Sequence, residues 1–323
     1  MLRPRAGTLF CGIVVVAVVA AGGVASWRGV TSGAATPGVP GTAATTEEPA
    51  PVMEISIPSS TPTAVAPAPP VVPAHAVVPA QAVVDATERA ITPGMTLGVA
   101  VLDVVSGEVV LGRYGNRPFM SASLAKLVLV VDMLDRRRAD GRAIAESDLK
   151  LVGRALSSSD DGAMNVLWGR YDGPGAVRRV AARLGLSATR APSDASTWGD
   201  TTVTAGDLTR IYRHILRDMA AEDRAVIVSA LSAAQHTATD GFDQFFGLLR
   251  RGASERVYAK QAWVPYRPSG FLLHSAGVVH DSRTGRDYAI ALLSIQSYVS
   301  SQAARDRLST VAAAALNAVQ AAG

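Results

Sequence analysis

The stretch Phe119-Met120-Ser121-Ala122-Ser123-Leu124-Ala125-Lys126 places a hydroxyl three residues before an amine, at the head of the apolar run 127–131. That run predicts a buried helix. Residues three apart share one helix face, so Ser123 and Lys126 should converge near the N-terminus, where free backbone N–H groups favour developing negative charge. A lysine whose pKa is lowered by burial can take a proton from a serine hydroxyl. The pattern predicts an activated serine, but the Ser-x-x-Lys spacing is common by chance and needs partners.

Two later elements supply candidate partners. The segment 159–165, Ser-Asp-Asp-Gly-Ala-Met-Asn, falls where a loop becomes a helix, and Asp161 and Asn165 are spaced to share one helix face. The triplet 260–262, Lys-Gln-Ala, lies in an otherwise apolar stretch of strand length. A lysine is costly to bury, so Lys260 should either reach solvent or line a cleft.

The order of predicted elements indicates an α+β fold. Two short strands joined at Ser106-Gly107 are followed by helical patterns, then by three strand-length stretches and a last helix. If the early hairpin and the late meander share one antiparallel sheet, the helices between them form a separate lobe of the same domain. The predicted strands are 97–104, 108–112, 256–264, 271–280 and 287–295, and the last helix is 301–320.

The three elements together resemble the penicillin-recognising serine enzymes, above all the class A β-lactamases, which carry S-x-x-K, S-D-N and K-T-G motifs in this order. The resemblance covers roughly residues 85–321 and implies a serine β-lactamase-like fold. It assigns Ser123 as the acylated nucleophile, Lys126 as its base and Ser159 as the proton shuttle to the leaving nitrogen. The residues it implies for substrate binding and scaffolding are Asp161, Asn165, Lys260, Gln261 and Ala262.

The sequence departs from the family pattern at four places. Asp161 replaces an amide by a charge, and Gln261-Ala262 replace the Thr-Gly of the third motif. No glutamate occurs between Glu146 and Glu222, so the family's deacylating loop glutamate has no counterpart; Asp194 is the best substitute in the loop-like stretch 191–204. A second placement of the third motif, at His274-Ser275-Ala276-Gly277, stays open because sequence alone does not separate it from Lys260.

The N-terminal segment predicts that the folded domain lies outside the cytoplasm, either anchored to the membrane or secreted. The 22 residues between Arg5 and Arg28 carry no charge, enough for a membrane-spanning helix, and the preceding arginines place the N-terminus in the cytoplasm. Segment 1–28 is therefore either an anchor or a cleaved signal peptide. Segment 29–84 holds eleven of the eighteen prolines and predicts a disordered linker, leaving 85–323 as the folded domain.

Composition excludes several classes of function. The net charge of +4 is modest and mixed in sign, which argues against nucleic-acid binding, and the five histidines form no metal-binding spacing. The sequence contains no G-x-S-x-G motif, so it does not predict a Ser-His-Asp hydrolase of the α/β-hydrolase type. We expect no cofactor and no metal, and a monomer. What remains is a serine hydrolase acylated by β-lactams or peptidoglycan stem peptides with weak deacylation, or a non-catalytic cell-wall binding module on the same fold.

Overall fold

The computed structural model describes residues 80–141, 143–252, 254, 256–267, 270–297 and 299–321. The predicted membrane segment 1–28 and the linker up to residue 79 lie outside these residues. Within the described part, no helix combines the length and the apolar character needed to cross a bilayer. The first helix begins at Ala80, five residues before the predicted domain start at Asp85, because the buried Val83 and Val84 anchor it to the core.

Helices and strands follow the predicted order. A 3₁₀ turn, Ala122–Leu124, leads directly into α2. The helices are α1 (Ala80–Arg89), α2 (Ala125–Asp140), α3 (Glu146–Ser157), α4 (Asp161–Arg170), α5 (Gly173–Leu184), α6 (Ala205–Arg217), α7 (Ala221–Ser232) and α8 (Ser301–Ala321). The strands are β1 (Met95–Asp103), β2 (Val109–Leu111), β3 (Phe119–Met120), β4 (Thr202–Val203), β5 (Val257–Arg267), β6 (Gly270–Asp281) and β7 (Arg286–Gln296).

The early hairpin and the late meander form one five-stranded antiparallel sheet in the order β2-β1-β7-β6-β5. The prediction of an α+β, serine β-lactamase-like fold with a shared sheet and a helical lobe is confirmed. Strands β1 and β7 are neighbours although nearly 200 residues separate them, with Met95 opposite Gln296. In this sheet β5, the strand that carries Lys260, has only β6 as a partner, so its other edge is available to a neighbouring element.

The sheet has an apolar core on each face. Helices α1 and α8 pack on one face around residues such as Leu97, Leu292 and Leu308. Helix α6 and the lobe pack on the other face, and the run 127–131 of α2 is fully buried among them, as predicted. The 3₁₀ turn at the head of α2 contacts β5, so the lobe and the free edge of the sheet meet beside Ser123.

A glycine in β1 helps to fix the segment that leads into Ser123. A Cβ at Gly98 would lie 2.7 Å from Cε2 of Phe119 and 2.8 Å from the carbonyl oxygen of Tyr114. A larger residue would therefore push the Phe119 ring away from β1. Strand β3, which begins at Phe119, pairs with β4 and ends at Met120, three residues before Ser123.

Candidate active site

Ser123 lies in the 3₁₀ turn that precedes α2, and its side chain reaches a shallow pocket. The preceding residue, Ala122, has a φ of +45°, a left-handed conformation that non-glycine residues adopt only when their surroundings hold them there. Ser123 is 8% exposed, and its Oγ lies 2.8 Å from Nζ of Lys126. The spacing inferred from sequence therefore brings the hydroxyl and the amine into direct contact.

Lys126 is fully buried among oxygen atoms. Its Nζ lies 2.8 Å from Ser123 Oγ, 2.8 Å from the Ser159 carbonyl oxygen, 3.2 Å from Ser159 Oγ and 2.6 Å from Asp161 Oδ1. Burial lowers the pKa of Lys126, and the Asp161 carboxylate opposes this shift. A neutral amine keeps two N–H donors for its acceptors and offers a lone pair to the Ser123 hydroxyl.

Ser159 links Lys126 to a second buried lysine. Its φ is +54°, and its Oγ accepts a hydrogen bond of 2.9 Å from Nζ of Lys260, which also donates to the Gln261 carbonyl oxygen at 2.8 Å. Burial lowers the pKa of Lys260 well below its usual value, and repulsion by Lys126 adds to the effect. Ser159 thus lies between two amines, a position from which a proton can be relayed.

The cap of α4 positions Ser159 and Asp161. Asp160 accepts a hydrogen bond of 2.9 Å from the Ala163 N–H at the helix N-terminus, and Arg154 holds its other oxygen at 2.8 Å. Asp160 is buried, so Ser159 and Asp161, on either side of it, are aimed at Lys126. Local capping chemistry therefore fixes the second predicted element.

Strand alternation separates the residues of the third predicted element. Lys260 faces the lobe, as does the fully buried Ala262, whereas the Gln261 side chain points through the opposite face and donates to the carbonyl oxygens of Gln244 and Phe246. The structure therefore does not bring the Gln261 side chain into the site, contrary to its predicted role in substrate binding. Successive side chains of a strand leave opposite faces, so a neighbour of Lys260 turns away from it.

The alternative third motif at 274–277 does not line the site. His274 is fully buried, with Nε2 2.9 Å from the Met120 carbonyl oxygen and Nδ1 accepting from the Ser294 N–H at 3.1 Å. Burial lowers the pKa of His274 to about 4, so the ring is neutral and carries its proton on Nε2. His274 supports β3 from behind, and the Lys260 placement is the one that reaches Ser159.

The pocket in front of Ser123 has a volume of about 150 Å³ and contains residues that the sequence analysis missed. Three of them are Trp198, Asp240 and Trp263. None belongs to a motif, and each comes from a different loop or strand, so only the folded chain shows their proximity. The lining residues are Ala122, Ser123, Asp161, Trp198, Gly199, Asp240, Trp263 and Val264.

Trp198 lies over Lys126, in the stretch 191–204 where the resemblance implies a deacylating glutamate. Its ring centroid is 4.7 Å from Lys126 Nζ, and its Nε1 donates to Asn165 Oδ1 at 2.8 Å. Asn165 thus holds the loop in place. Asp194, the predicted substitute for the glutamate, is exposed and accepts hydrogen bonds from the backbone N–H and hydroxyl of Ser196. The position of Asp194 gives it no contact with Ser123 or Lys126.

The site holds amines, hydroxyls and carboxylates, and no set of metal ligands was found among the described residues. Comparison with known proteins identifies the family of the chain. The sequence profile of the Beta-lactamase enzyme family matches residues 142–319. The chain belongs to the beta-lactamase enzyme family. Ser159, Lys260 and the loop around Trp198 fall inside the matched region, whereas Ser123 and Lys126 precede it.

Two mycobacterial proteins are similar to this chain over 216 residues. The protein named "Putative lipoprotein LppW" of Mycobacterium tuberculosis is 35% identical over 216 residues, which cover 65% of this chain and 67% of that protein. Its counterpart in Mycobacterium bovis matches to the same extent.

Two solved beta-lactamases illustrate the likeness in fold. The enzyme of Sphaerobacter thermophilus is 19% identical, with a TM-score of 0.56, over 74% of this chain and 97% of its own. A class A representative from Bacteroides cellulosilyticus is 14% identical, with a TM-score of 0.62, over 75% of this chain and 98% of its own. At such identities these structures support the fold alone.

Proposed function

We propose that the protein is an extracytoplasmic serine hydrolase that is acylated at Ser123 by β-lactams or peptidoglycan stem peptides and releases the acyl group slowly. The contact of 2.8 Å between Ser123 Oγ and Lys126 Nζ carries this proposal. Lys126 accepts the hydroxyl proton while Ser123 Oγ bonds to the substrate carbonyl carbon. The C–N bond then breaks, and Ser159, bonded to both lysines, passes a proton to the leaving nitrogen.

Backbone N–H groups of Ser123 and Trp263 are suited to stabilise the oxyanion. The Lys260 N–H donates to the Tyr212 hydroxyl, which in turn donates to the Ala276 carbonyl oxygen on β6, so the Lys260 N–H points into the sheet. Backbone N–H groups alternate along an antiparallel strand, which directs the Trp263 N–H towards the free edge of β5. Such donors stabilise the charge that develops on the carbonyl oxygen.

Slow deacylation follows from what surrounds Lys126. Hydrolysis of the acyl ester needs a base that activates water, and general-base catalysis contributes roughly 10²–10⁴-fold. Beside Lys126 the loop, which the structure describes throughout, supplies the indole of Trp198 and no carboxylate that could activate water, and Asp194 is exposed to solvent. An acyl-enzyme formed at Ser123 should therefore persist.

Intact-mass spectrometry after mixing with benzylpenicillin tests the proposal. We expect a covalent adduct on the wild-type protein that is lost in Ser123→Ala and kept in Ser196→Ala, a control at an exposed loop serine. Rapid hydrolysis of the penicillin without accumulated adduct would contradict slow deacylation. Adduct formation in Ser123→Ala would contradict the assignment of the nucleophile.

A non-catalytic cell-wall binding module is the second candidate, and the ion pair between Lys126 and Asp161 favours it. A lysine held protonated by a carboxylate at 2.6 Å cannot accept the serine proton. In that case no adduct forms with any penicillin between pH 6 and pH 10, while cell-wall peptides still bind reversibly. The same mass measurement, repeated from pH 6 to pH 10, distinguishes the two functions.

We also propose that the folded domain is held outside the cytoplasmic membrane by its N-terminal segment. The apolar stretch behind Arg3 and Arg5 supports this proposal, and the relative in Mycobacterium tuberculosis is named as a lipoprotein. Protease added to cells stripped of their wall should remove the domain that begins near residue 80. Protection of that domain would show that the orientation is wrong.

A further inference from the structure

The surface of the pocket in front of Ser123 carries two carboxylates. Asp161 and Asp240 both line it, and the Asp161 side chain is 65% exposed. Lys126 and Lys260, the nearest amines, are 0% exposed. Among the described residues that line the pocket, none is a lysine or an arginine. A ligand entering from solvent therefore meets negative charge before it reaches the buried amines.

The Asp240 carboxylate is held by two neutral donors. It accepts hydrogen bonds of 3.0 Å from the Phe242 N–H and 3.0 Å from Nε1 of Trp263. No ion pair joins Asp240 to a lysine or arginine side chain placed by the structure. Asp161 differs, because its contact with Lys126 balances its charge whenever Lys126 is protonated.

The charged groups at the mouth of the pocket are negative, because Asp161 and Asp240 line it and both lysines are buried. Burial lowers the pKa of Lys260 well below its usual value, an effect that outweighs the opposing attraction of Asp161 and Asp240. Asp160, the other nearby carboxylate, is paired with Arg154 outside the pocket.

Two indoles complete the surroundings of Asp240. Trp263 stacks on Phe242 with ring centroids 4.6 Å apart, which fixes the Nε1 donor that orients Asp240. Trp198 lines the same pocket and comes from the segment that precedes β4. Indole rings attract ammonium groups through the negative face of their π-system, so rings and carboxylates favour the same kind of ligand.

We propose that this pocket selects acyl donors that carry a cationic amino group close to the scissile carbonyl, and that Asp240 is the residue that determines this preference. The proposal rests on the proposed acylation of Ser123. The expected substrates are peptides with a free amino group and β-lactams whose side chain carries an amine. A substrate that carries a carboxylate in place of this amino group reacts more slowly, because Asp240 and Asp161 repel it.

Three penicillins with one scaffold test the preference. They share a phenylacetyl-type side chain whose α-carbon carries hydrogen, an ammonium group or a carboxylate: benzylpenicillin, ampicillin and carbenicillin. We expect the second-order rate of Ser123 acylation, followed by intact mass, to be about tenfold or more higher for ampicillin than for carbenicillin, with benzylpenicillin between them. Added salt should reduce this ratio, because the charges lie at the protein surface.

The variant Asp240→Asn removes the charge while keeping the size of the side chain. We expect it to bring the ratio of ampicillin to carbenicillin rates close to one. Asp306→Asn, at an exposed position on α8 against the far face of the sheet, is the matched control and should keep the wild-type ratio. An unchanged ratio in Asp240→Asn would overturn the assignment of this residue.

A binding measurement separates failure of this inference from failure of the proposed acylation. Tryptophan fluorescence of Ser123→Ala, titrated with the same three penicillins, reports their affinities without covalent chemistry. Tighter binding of ampicillin with no adduct on the wild type would support the charge preference and refute acylation. Adducts formed at equal rates by all three, or fastest by carbenicillin, would overturn the preference and leave acylation standing. Equal affinities together with no adduct would overturn both.

Discussion

Asp161 Oδ1 lies 2.6 Å from Lys126 Nζ, so the proposed general base is ion-paired with a residue that replaces a neutral amide of the resembled family. Lys126 is fully buried, whereas the Asp161 side chain is largely exposed. The carboxylate therefore stabilises a charge that burial disfavours, and the balance between the two effects sets how often Lys126 is neutral. The first prediction follows from this balance.

Asp161→Asn should make acylation faster at neutral pH. Removing the carboxylate lowers the pKa of Lys126 further, which raises the fraction of neutral amine below that pKa. We expect the acid limb of the pH–rate profile to move to lower pH by about one unit, and the rate at pH 7 to rise about tenfold. Intact-mass kinetics from pH 5 to pH 10 measure this change, and Asp194→Asn is the control. A slower variant with an unshifted profile would argue against Lys126 as the base.

Trp198→Ala should shorten the lifetime of the acyl-enzyme. The indole covers Lys126 and is held by Asn165, so its removal admits water to the ester and exposes a basic amine to it. We expect the adduct to decay up to about tenfold faster, well short of the 10²–10⁴-fold that a positioned base contributes. Trp198→Phe, which keeps an aromatic ring, should lie between the variant and the wild type. An unchanged decay rate in Trp198→Ala would show that the ring does not shield the ester.

Lys260→Met should stabilise the fold at pH 7 while it slows acylation. A buried amine of lowered pKa binds its proton more weakly in the native state than in the unfolded state, so native stability is penalised below pH 10.5 and recovers as pH rises. Met fills a similar volume without this penalty, and we expect a gain of about 1–3 kcal/mol in the free energy of unfolding. Urea denaturation at pH 7 and pH 9 should show the gain shrinking at the higher pH. A destabilised Lys260→Met would mean that its bonds to Ser159 and Gln261 outweigh the cost of burial.

His274 should make the domain sensitive to acid. It is fully buried with a pKa of about 4, whereas the unfolded side chain titrates near 6.5, so the unfolded state binds a proton first as pH falls. We expect this residue to remove about 3 kcal/mol of stability between pH 7 and pH 4. His274→Gln, which can still donate to the Met120 carbonyl oxygen, should lessen the slope of stability against pH. His236→Gln, at an exposed histidine, should leave the slope intact.

The sequence by itself determined the course of the fold and the contact between Ser123 and Lys126. The apolar run 127–131 after Ser123, the alternating strand stretches and the motif order gave one α+β architecture, because burial periodicity and turn chemistry are local properties of a chain. The contact of Ser123 with Lys126 followed from a spacing of three residues on one helical path. Local spacing also placed Ser159 next to a capped helix.

Only the tertiary structure decided which distant residues share the pocket. Lys260 reaches Ser159 across 101 residues, and the choice between Lys260 and the stretch 274–277 depended on which strand lies at the sheet edge. The Gln261 side chain lies outside the site because packing fixes which face of β5 points towards Ser159. The positions of Trp198, Asp240 and Trp263 depend on loops whose sequences carry no period or motif. Such proximities arise when the sheet and the lobe close on each other, which no local pattern records.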